Sequence, residues 1–275
     1  MFIKSIRLKN LMLVAGAALL GLALGLGILL LGTKAAADPE TPDPSAGLPE
    51  TPAESEAQDA MGTGKPEDGE KIVYLTFDDG PSAVTADILD VLKEKEAPAT
   101  FFVIGATTER GKSLYHRIVD EGHALGIHSY SHRYQEIYQS ADAYLQDFDR
   151  LADHLDSIVG VRPTIFRFPG GSLNNLADPV VLEEIKEKMS ERGCVWFDWN
   201  ALAKDDKASA APAQEMFDNV VASAGDKEKI LILLHDDALR TTAAECVGML
   251  IDHYRELGYR FEALTPDTEP VHLVQ

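Results

Sequence analysis

The stretch KIVYLTFDDGP, from Lys71 to Pro81, has the pattern of a strand followed by a turn. The run from Lys71 to Phe77 is rich in β-branched, aliphatic and aromatic residues, which is typical of a strand. Two adjacent carboxylates, Asp78 and Asp79, follow this run, and the Gly-Pro pair after them is typical of a tight turn. An apolar strand that ends in two acidic side chains predicts a buried strand with a functional site at its carboxyl end.

Short apolar runs alternate with amphipathic stretches over the rest of the chain. We predict strands at Ile72–Phe77, Thr100–Ile104, Ala124–His128, Thr164–Phe168, Val195–Trp199, Ile230–His235 and Arg260–Leu264. We predict helices at Val84–Lys95, Ser113–Glu121, Ala141–Val159, Pro179–Arg192, Ala213–Ala224 and Thr242–Leu257. This alternation indicates an α/β fold with a parallel sheet covered by helices, and about seven such units favour a (β/α) barrel over an open sheet.

Polar side chains stand at the carboxyl ends of five predicted strands, namely the Asp78-Asp79 pair, His128, Arg167, Asp198 and His235. In α/β barrels the carboxyl ends of the strands form the rim on which active sites are built. Each polar group alone would be explained as a turn, a core histidine or a rim ion pair. Together they predict a site at this rim.

Asp79, His128 and His132 form a set of two imidazoles and one carboxylate. Borderline divalent ions such as zinc accept this set and keep positions open for water and substrate. The two histidines are four residues apart and share one face if that turn is helical. Either motif alone would indicate an ordinary turn or a polar helix face, but the two together at strand ends predict a metal site.

The same rim offers groups for acid–base chemistry. Two adjacent aspartates cannot both point the same way, so one can bind the metal while the other serves as a general base. His235 ends the apolar run Ile230–Leu234 and is suited to protonate a leaving amine. Arg167 and Asp198 would orient the acid and the base and tune their charges. Trp199 would either stack on a sugar face or fill the core.

The ordered set TFDDGP, HSYSH, RFPGG, FDW and LLHD resembles the motifs of the polysaccharide deacetylases. These are carbohydrate esterase family 4, which share a chitooligosaccharide deacetylase homology domain. The resemblance covers about residues 71–265, and its first two motifs are specific, whereas the other three support it by order and spacing. It implies a distorted (β/α) barrel with about seven parallel strands.

The resemblance implies a metal site and a general base. Asp79, His128 and His132 would hold one divalent ion, with Zn²⁺ as the first candidate and Co²⁺, Mn²⁺ or Ni²⁺ as alternatives. Asp78 would be the general base, and Arg167 would position it.

The resemblance also implies an acid and a set of substrate contacts. His235 would be the general acid, and Asp198 would tune it. The backbone N–H of Gly170 would help to hold the oxyanion, while Trp199 and Leu233 would line the pocket for the acetyl group.

One motif departs from the family pattern. Many relatives have an aromatic residue after the proline of the third motif, but Gly170 and Gly171 follow Pro169 in this chain. The backbone donor is retained because glycine keeps its N–H, whereas a side-chain wall of the sugar groove is expected to be missing. This departure bears on which sugar is bound and leaves the catalytic set intact.

The N-terminal part has the pattern of a membrane anchor. Leu11–Gly32 carries no charge and is long enough to cross a hydrocarbon core of roughly 30 Å. Lys4, Arg7 and Lys9 precede it, which places the N-terminus in the cytoplasm and the remainder outside. The alternative is a signal peptide that is cleaved near Ala37.

The composition predicts three segments. They are the anchor or signal peptide at 1–32, a disordered linker rich in Pro, Glu and Ala at 33–70, and a catalytic domain at 71–275. The formal net charge of −20 argues against a nucleic-acid partner, because nucleic-acid binding needs basic surface. Cys194 and Cys246 would either pair outside the cell or remain as buried thiols.

These predictions indicate a membrane-tethered, extracytoplasmic hydrolase that acts on carbon–nitrogen bonds other than peptide bonds, with a monomeric catalytic domain. Its partner would be an acetylated amino-sugar polymer, with peptidoglycan first and chitin-like oligosaccharides second. An O-acetyl xylan esterase on the same fold is the alternative enzyme. A non-catalytic carbohydrate-binding wall protein is the alternative of another class, and the fact that every catalytic position is filled disfavours it.

Overall fold

The computed structural model describes residues 69–274. Their strands are β1 Ile72–Asp78, β2 Thr100–Ile104, β3 Ala124–Ser129, β4 Ile165–Phe166, β5 Val195–Trp196, β6 Ala201–Leu202, β7 Lys229–His235 and β8 Arg260–Phe261. Their helices are α1 Ala83–Glu94, α2 Glu109–Asp120, α3 Tyr134–Ile137, α4 Ala141–Val159, α5 Pro179–Glu191, α6 Ala213–Ala224 and α7 Ala243–Glu256. The order is the βα alternation that the hydrophobic pattern predicts.

The strands form one parallel sheet with the order β5-β4-β3-β2-β1-β7-β6, and β8 pairs with the beginning of β1. Seven strands therefore follow a continuous path, as the predicted barrel requires. Within residues 69–274 the two end strands, β5 and β6, are not paired with each other. The fold is thus a half-barrel of parallel strands and lacks the closure of a complete (β/α) barrel.

Most predicted elements are present, and the differences occur where the elements are short. Strand β2 and helices α4 and α6 have the predicted bounds. Strand β6, with two residues, and helix α3, with four, were not predicted, because neither is long enough to show a period of hydrophobicity. Strands β4, β5 and β8 are shorter than predicted.

Residue alternation along β1 separates the two cores of the domain. Val73, Leu75 and Phe77 pack with the helices in the larger cluster. Ile72 and Tyr74 belong to a smaller cluster that also contains Phe102 of β2 and Leu231 of β7. Since side chains alternate across a strand, Thr76 and Asp78 continue the face of Ile72 and Tyr74, so they point into the half-barrel.

The register of β7 on β1 brings the acid and the base to one end of this interior. Asp78 pairs with His235, and Thr76 pairs with Leu233. Each pair lies on the same face of neighbouring parallel strands. The carboxyl ends of β1 and β7 therefore place both polar side chains at the rim of the interior.

Helix starts are marked by local signals. Ser82 accepts a hydrogen bond from the N–H of Val84 at the start of α1, and the side chain of Thr85 accepts one from the N–H of Ser82. This reciprocal arrangement is a capping box. At α5, Asp178 caps the helix and Pro179 occupies its first position, where the missing N–H has no intrahelical partner in any case.

Two further predictions concern cysteines and the membrane. Cys194 and Cys246 are both free and buried, so the alternative with two thiols is observed. Among the helices of residues 69–274, none is long and apolar enough to cross a bilayer. The predicted anchor Leu11–Gly32 and the greater part of the predicted linker at 33–70 lie outside the described residues.

Candidate functional site

Asp79, His128 and His132 meet at the carboxyl end of the sheet. The Nε2 atoms of His128 and His132 lie 3.5 and 3.1 Å from Asp79 Oδ1. One ligand atom from each of the three residues lies within 4.8 Å of the others. The structure therefore brings together the three residues that the sequence assigns to a metal.

The second histidine reaches the site through a turn and not through a helix. His128 lies in β3, whereas His132 follows it in a loop and has a φ of 52°. The two rings are nevertheless stacked, with centroids 5.2 Å apart. The condition that the HxxxH segment is helical is not met, and the turn achieves the same convergence.

Asp147, on helix α4, holds this turn. Its carboxylate accepts hydrogen bonds from the Ser129 hydroxyl at 2.6 Å, the Tyr130 N–H at 2.7 Å and the Ser131 N–H at 3.0 Å. The Ser129 hydroxyl in turn accepts a hydrogen bond from the His132 N–H at 2.8 Å. Because the charge of Asp147 is aimed at backbone donors, it orders the segment that presents His132.

Two of the three candidate ligands have a left-handed backbone. The φ of Asp79 is 75° and that of His132 is 52°. Such values are uncommon for residues other than glycine and occur mainly where the surrounding structure fixes them, often at functional sites. Here the Gly80-Pro81 turn and the Asp147 network supply that constraint.

The site has the ligand set that a divalent ion needs, and at His128 it also has the required tautomer. Asp79 Oδ1 is buried and makes no hydrogen bond to any residue between 69 and 274, although two imidazole nitrogens are close to it. The Nδ1 of His128 lies 2.9 Å from the carbonyl oxygen of Arg167, so it carries the proton and leaves Nε2 with a lone pair. Burial and the neighbouring His128 lower the pKa of His132, which favours its neutral, ligating form. The residues fit a zinc-like ion.

Asp78 and Arg167 form a buried ion pair beside this cluster. Arg167 Nη1 lies 2.9 Å from Asp78 Oδ1, and both side chains are almost inaccessible to water. The same nitrogen donates to the Thr76 hydroxyl at 2.8 Å, and Arg167 Nε and Nη2 donate to backbone carbonyls of the segment that follows β5. Asp78 Oδ2 remains on the side of the metal cluster, 4.0 Å from His128 Nε2. Arg167 thus fixes one oxygen of Asp78 and leaves the other directed at the site.

The partner of His235 differs from the predicted one. Asp205 Oδ1 lies 2.8 Å from His235 Nδ1, and Asp205 Oδ2 accepts the backbone N–H of His235 at 2.9 Å. Burial lowers the pKa of His235, but the hydrogen bond and charge of Asp205, together with the charges of Asp78 and Asp79, outweigh burial and raise the pKa to about 9. The expectation that Asp198 tunes His235 is wrong, since Asp205 occupies that place.

Asp198 has a different set of contacts. Its carboxylate is buried and accepts hydrogen bonds from the Ser172 N–H at 2.8 Å, the Ser172 hydroxyl at 2.5 Å and the Leu273 N–H at 3.0 Å. Asp198 follows β5, as the prediction of a strand-end position requires. Its side chain, however, binds the loop after β4 and makes no hydrogen bond to His235.

That loop carries Gly170. The N–H of Gly171 donates to the Phe168 carbonyl at 2.8 Å across Pro169 and Gly170, and Gly170 has a φ of 81°. Proline followed by a glycine with positive φ is the pattern of a type II turn. Gly170 is exposed, and its N–H makes no hydrogen bond within residues 69–274. It is therefore available to an external acceptor.

An apolar side chain from the following loop lies beside Gly170, where the motif itself has no side chain. A Cβ atom on Gly170 would lie 3.2 Å from Leu176 Cδ1 and 3.2 Å from Asn174 Cβ. Leu176 is 48% exposed, so an apolar side chain from the following loop stands at the surface where the motif itself has none.

The two residues expected at the acetyl pocket also lie on this rim. Leu233 is 8% exposed and lies two residues before His235 on the same face of β7. Trp199 is half-buried, and its ring lies 5.7 Å from the Arg167 guanidinium carbon. Two cavities of about 430 and 300 Å³ lie elsewhere, at the amino ends of β4 and β5, and are lined by residues such as Arg162 and Thr164.

Two polar residues of the site were missed in the sequence. Asp205 follows β6, which has only two residues and is too short to be recognised as a strand in the sequence. Its position near a strand end therefore could not be predicted. The left-handed backbone of Lys204, with a φ of 54°, turns the chain immediately before it. Asp147 has no sequence signal, since it is one of several acidic residues along α4.

The comparisons with known proteins agree with this geometry. The polysaccharide deacetylase family matches residues 65–184. A peptidoglycan-N-acetylglucosamine deacetylase of Bacillus cereus is 34% identical over 197 residues, which cover 70% of this chain and 69% of that protein. The catalytic domain of a peptidoglycan N-acetylglucosamine deacetylase from Eubacterium rectale superimposes with a TM-score of 0.71 at 30% identity, covering 76% of this chain and 95% of that one.

A second solved structure supports the same conclusion. A polysaccharide deacetylase from Bacillus cereus superimposes with a TM-score of 0.65 at 33% identity, covering 74% of this chain and 97% of that one. Similarity at this level over most of a relative's length shows that the chain belongs to the polysaccharide deacetylase family, a family of hydrolases that act on carbon–nitrogen bonds.

Proposed function

We propose that the protein removes acetyl groups from N-acetylated amino sugars of a cell-wall polysaccharide, with peptidoglycan as the first candidate. The observation that carries the proposal is a buried carboxylate oxygen of Asp79 that accepts no hydrogen bond from residues 69–274 and lies beside two imidazole nitrogens. A general base and a protonated histidine stand at the same rim. Relatives that are named for deacetylating N-acetylglucosamine of peptidoglycan support the choice of polymer.

Asp79, His128 and His132 would hold one divalent ion. When bound, such an ion supplies Lewis-acid polarisation of a carbonyl oxygen and makes a water molecule more acidic. The oxygen of Asp78 that faces the cluster accepts the proton of the attacking water. Arg167, which is bonded to the other oxygen, keeps the carboxylate oriented.

The remaining groups act on the amide. The free N–H of Gly170 donates a hydrogen bond to the oxygen on which negative charge develops. His235, whose Nδ1 is held by Asp205, presents its other nitrogen as a proton donor to the departing amine. Water and the acetamide are thereby converted into acetate and a free amino sugar. Asp78 then releases to solvent the proton that it took from water, and His235 takes up a proton from solvent. Trp199 and Leu233 would enclose the methyl group.

The proposed location rests on the sequence outside the described residues. The uncharged run Leu11–Gly32 would anchor the chain in the membrane, and 33–70 would tether the catalytic domain on the outer side. Peptidoglycan is accessible from that side, which agrees with the proposed substrate.

Acetate release tests the function. Purified protein is incubated with N-acetylglucosamine oligomers, with peptidoglycan and with acetylated xylan, before and after chelation and after return of Zn²⁺, Co²⁺, Mn²⁺ or Ni²⁺. We expect release from the amino-sugar substrates that chelation abolishes and one of the metals restores. His128→Ala is expected to remove both metal and activity, whereas Val180→Ala, at a position that is 76% exposed on α5, serves as the control.

Three outcomes contradict the proposal in different ways. Release from xylan alone would indicate an O-acetyl esterase. Binding of the oligomers without any acetate release after metal reconstitution would indicate a carbohydrate-binding protein. Full activity of His128→Ala would exclude the assigned metal site.

A further inference from the structure

We propose that the segment Val271–Leu273 is a positioning part of the active site. Through the buried carboxylate of Asp198, this segment holds the turn Phe168–Ser172 so that the N–H of Gly170 points at the reacting carbonyl group. The inference rests on the proposed function, since it concerns the donor that stabilises the oxyanion.

Asp198 joins the two parts by direct hydrogen bonds. On one side its carboxylate accepts from the N–H and hydroxyl of Ser172, at 2.8 and 2.5 Å. On the other side it accepts from the N–H of Leu273 at 3.0 Å, and its own N–H donates to the Val271 carbonyl at 2.8 Å. Ser172 ends the turn whose third residue is Gly170.

The carboxylate of Asp198 depends on these donors. Asp198 is fully buried, and Arg167 donates to its backbone carbonyl and not to its side chain. A buried carboxylate needs hydrogen bonds in place of the water that it has lost. Removal of the Leu273 donor therefore leaves Oδ2 with the Ser172 hydroxyl alone, and the bond that fixes the turn must readjust.

Side-chain packing seats the segment on the same turn. A Cβ atom on Gly171 would lie 2.9 Å from the ring of Trp199 and 3.1 Å from Leu273 Cδ1, so Leu273 packs directly against the turn. The ring of His272 stacks on Trp196, with centroids 4.4 Å apart and planes 10° apart. The segment thus contacts Trp196, two residues before Asp198, as well as the glycine next to the proposed donor.

The alternative is a purely structural role, in which Val271–Leu273 only covers the open edge of the sheet beside β5. Edge covering would contribute to stability and would leave the chemical step unchanged. Positioning of an oxyanion donor has a different signature, because that hydrogen bond is strongest in the transition state and its loss lowers kcat with little effect on KM.

We call the hydrogen bonds of Asp198 to Ser172 and Leu273 the clamp. Substitutions that remove one of these hydrogen bonds at either end test the proposal. Leu273→Pro removes the N–H that Asp198 accepts, and Ser172→Ala removes the hydroxyl contact. Val274→Pro is the matched control, since it introduces the same residue one position later, at a site that is 89% exposed. Initial rates on N-acetylglucosamine oligomers, bound metal per chain and thermal unfolding are measured for each variant.

We expect Leu273→Pro and Ser172→Ala each to lower kcat by about tenfold or more, a part of the ~10²–10³-fold loss typical when an oxyanion donor is removed. KM and metal content should stay near the wild-type values. The double variant should lose less than the product of the single losses, because both residues act through Asp198. Val274→Pro should match the wild type.

Amide hydrogen exchange separates this inference from the proposed function. In Leu273→Pro, peptides that contain residues 168–172 should exchange at least about tenfold faster than in the wild type, and this holds whether or not any substrate is turned over. Unchanged exchange in these peptides overturns the inference, as does an unchanged kcat in a wild-type protein that is active. Absence of acetate release by the wild type, with faster exchange in the variant, would reject the proposed function and retain the clamp.

Discussion

Replacement of Asp205 by asparagine tests how the general acid is charged. Asp205 accepts the Nδ1 proton of His235 and also its backbone N–H. Asparagine can still accept one of these bonds, but it removes the negative charge that stabilises the imidazolium form. We therefore expect Asp205→Asn to retain the fold and to lower the pKa of His235.

The size of the effect follows from the pKa values. Asp205, with help from Asp78 and Asp79, raises the pKa of His235 from 6.5 to about 9 against the opposing effect of burial. The difference corresponds to about 3 kcal/mol in favour of the protonated form. If the pKa returns to 6.5, the protonated fraction at about pH 8 falls from about nine-tenths to about 3%, which is a loss of about thirtyfold in rate.

The assay is the pH dependence of kcat/KM for acetate release at saturating metal. The sign is set by the role of His235, which must be protonated in order to act as an acid. The variant should therefore lose activity as the pH rises. It should approach the wild-type rate near about pH 5.5, where His235 is protonated in both proteins. A bound divalent ion lowers the pKa in both proteins, so the test is the separation of the two profiles. Asp206→Asn, at the exposed neighbouring position, should follow the wild type.

Two results would refute this reasoning. An equal loss of activity at low and high pH would show that Asp205 does not act through the charge of His235. Profiles that coincide would show that the carboxylate does not set the pKa of the acid.

Other variants address the base, the turn and the proposed anchor. Asp78→Asn should keep bound zinc yet lose at least about a hundredfold in turnover; loss of the zinc instead would mean that the roles of the two aspartates are exchanged. Gly80→Ala should lower zinc affinity by about tenfold or more and reduce the unfolding temperature, because a Cβ there would lie 2.1 Å from Asp236 Oδ2, and wild-type affinity by calorimetry would contradict this. The full-length protein should remain in the membrane fraction, and external protease should release an active soluble fragment by cutting within 33–70; a mature protein that begins near Asp38 would overturn the anchor.

The fold was predictable where a hydrophobic pattern extends over many residues. The apolar run of β7 and the nineteen-residue amphipathic pattern of α4 each span enough residues to define a face. Strand β6 could not be predicted, because Ala201 and Leu202 take their conformation from pairing with β7 and not from local preference.

The site was predictable to the extent that its residues follow recognisable strands. Asp79, His128 and His132 meet because β1 and β3 end at the same rim. The partner of His235 was not predictable, since the choice between Asp198 and Asp205 depends on the turn at Lys204 and on the contacts of Ser172. Such long-range pairings leave no periodic trace in the sequence.

The central place of β1 in the sheet has a consequence for biosynthesis. This strand carries both aspartates and leaves the ribosome early, yet it pairs with β7 and β8, and the hydrogen bond from Thr76 to Ile232 joins residues 156 positions apart. Pairings between such distant segments form late, after the intervening chain is available. We therefore expect nascent chains that stop before Lys229 to expose an unpaired edge of β1, to depend on chaperones and to have no hydrolytic activity. The enzyme would become active only once almost the entire catalytic domain has been made.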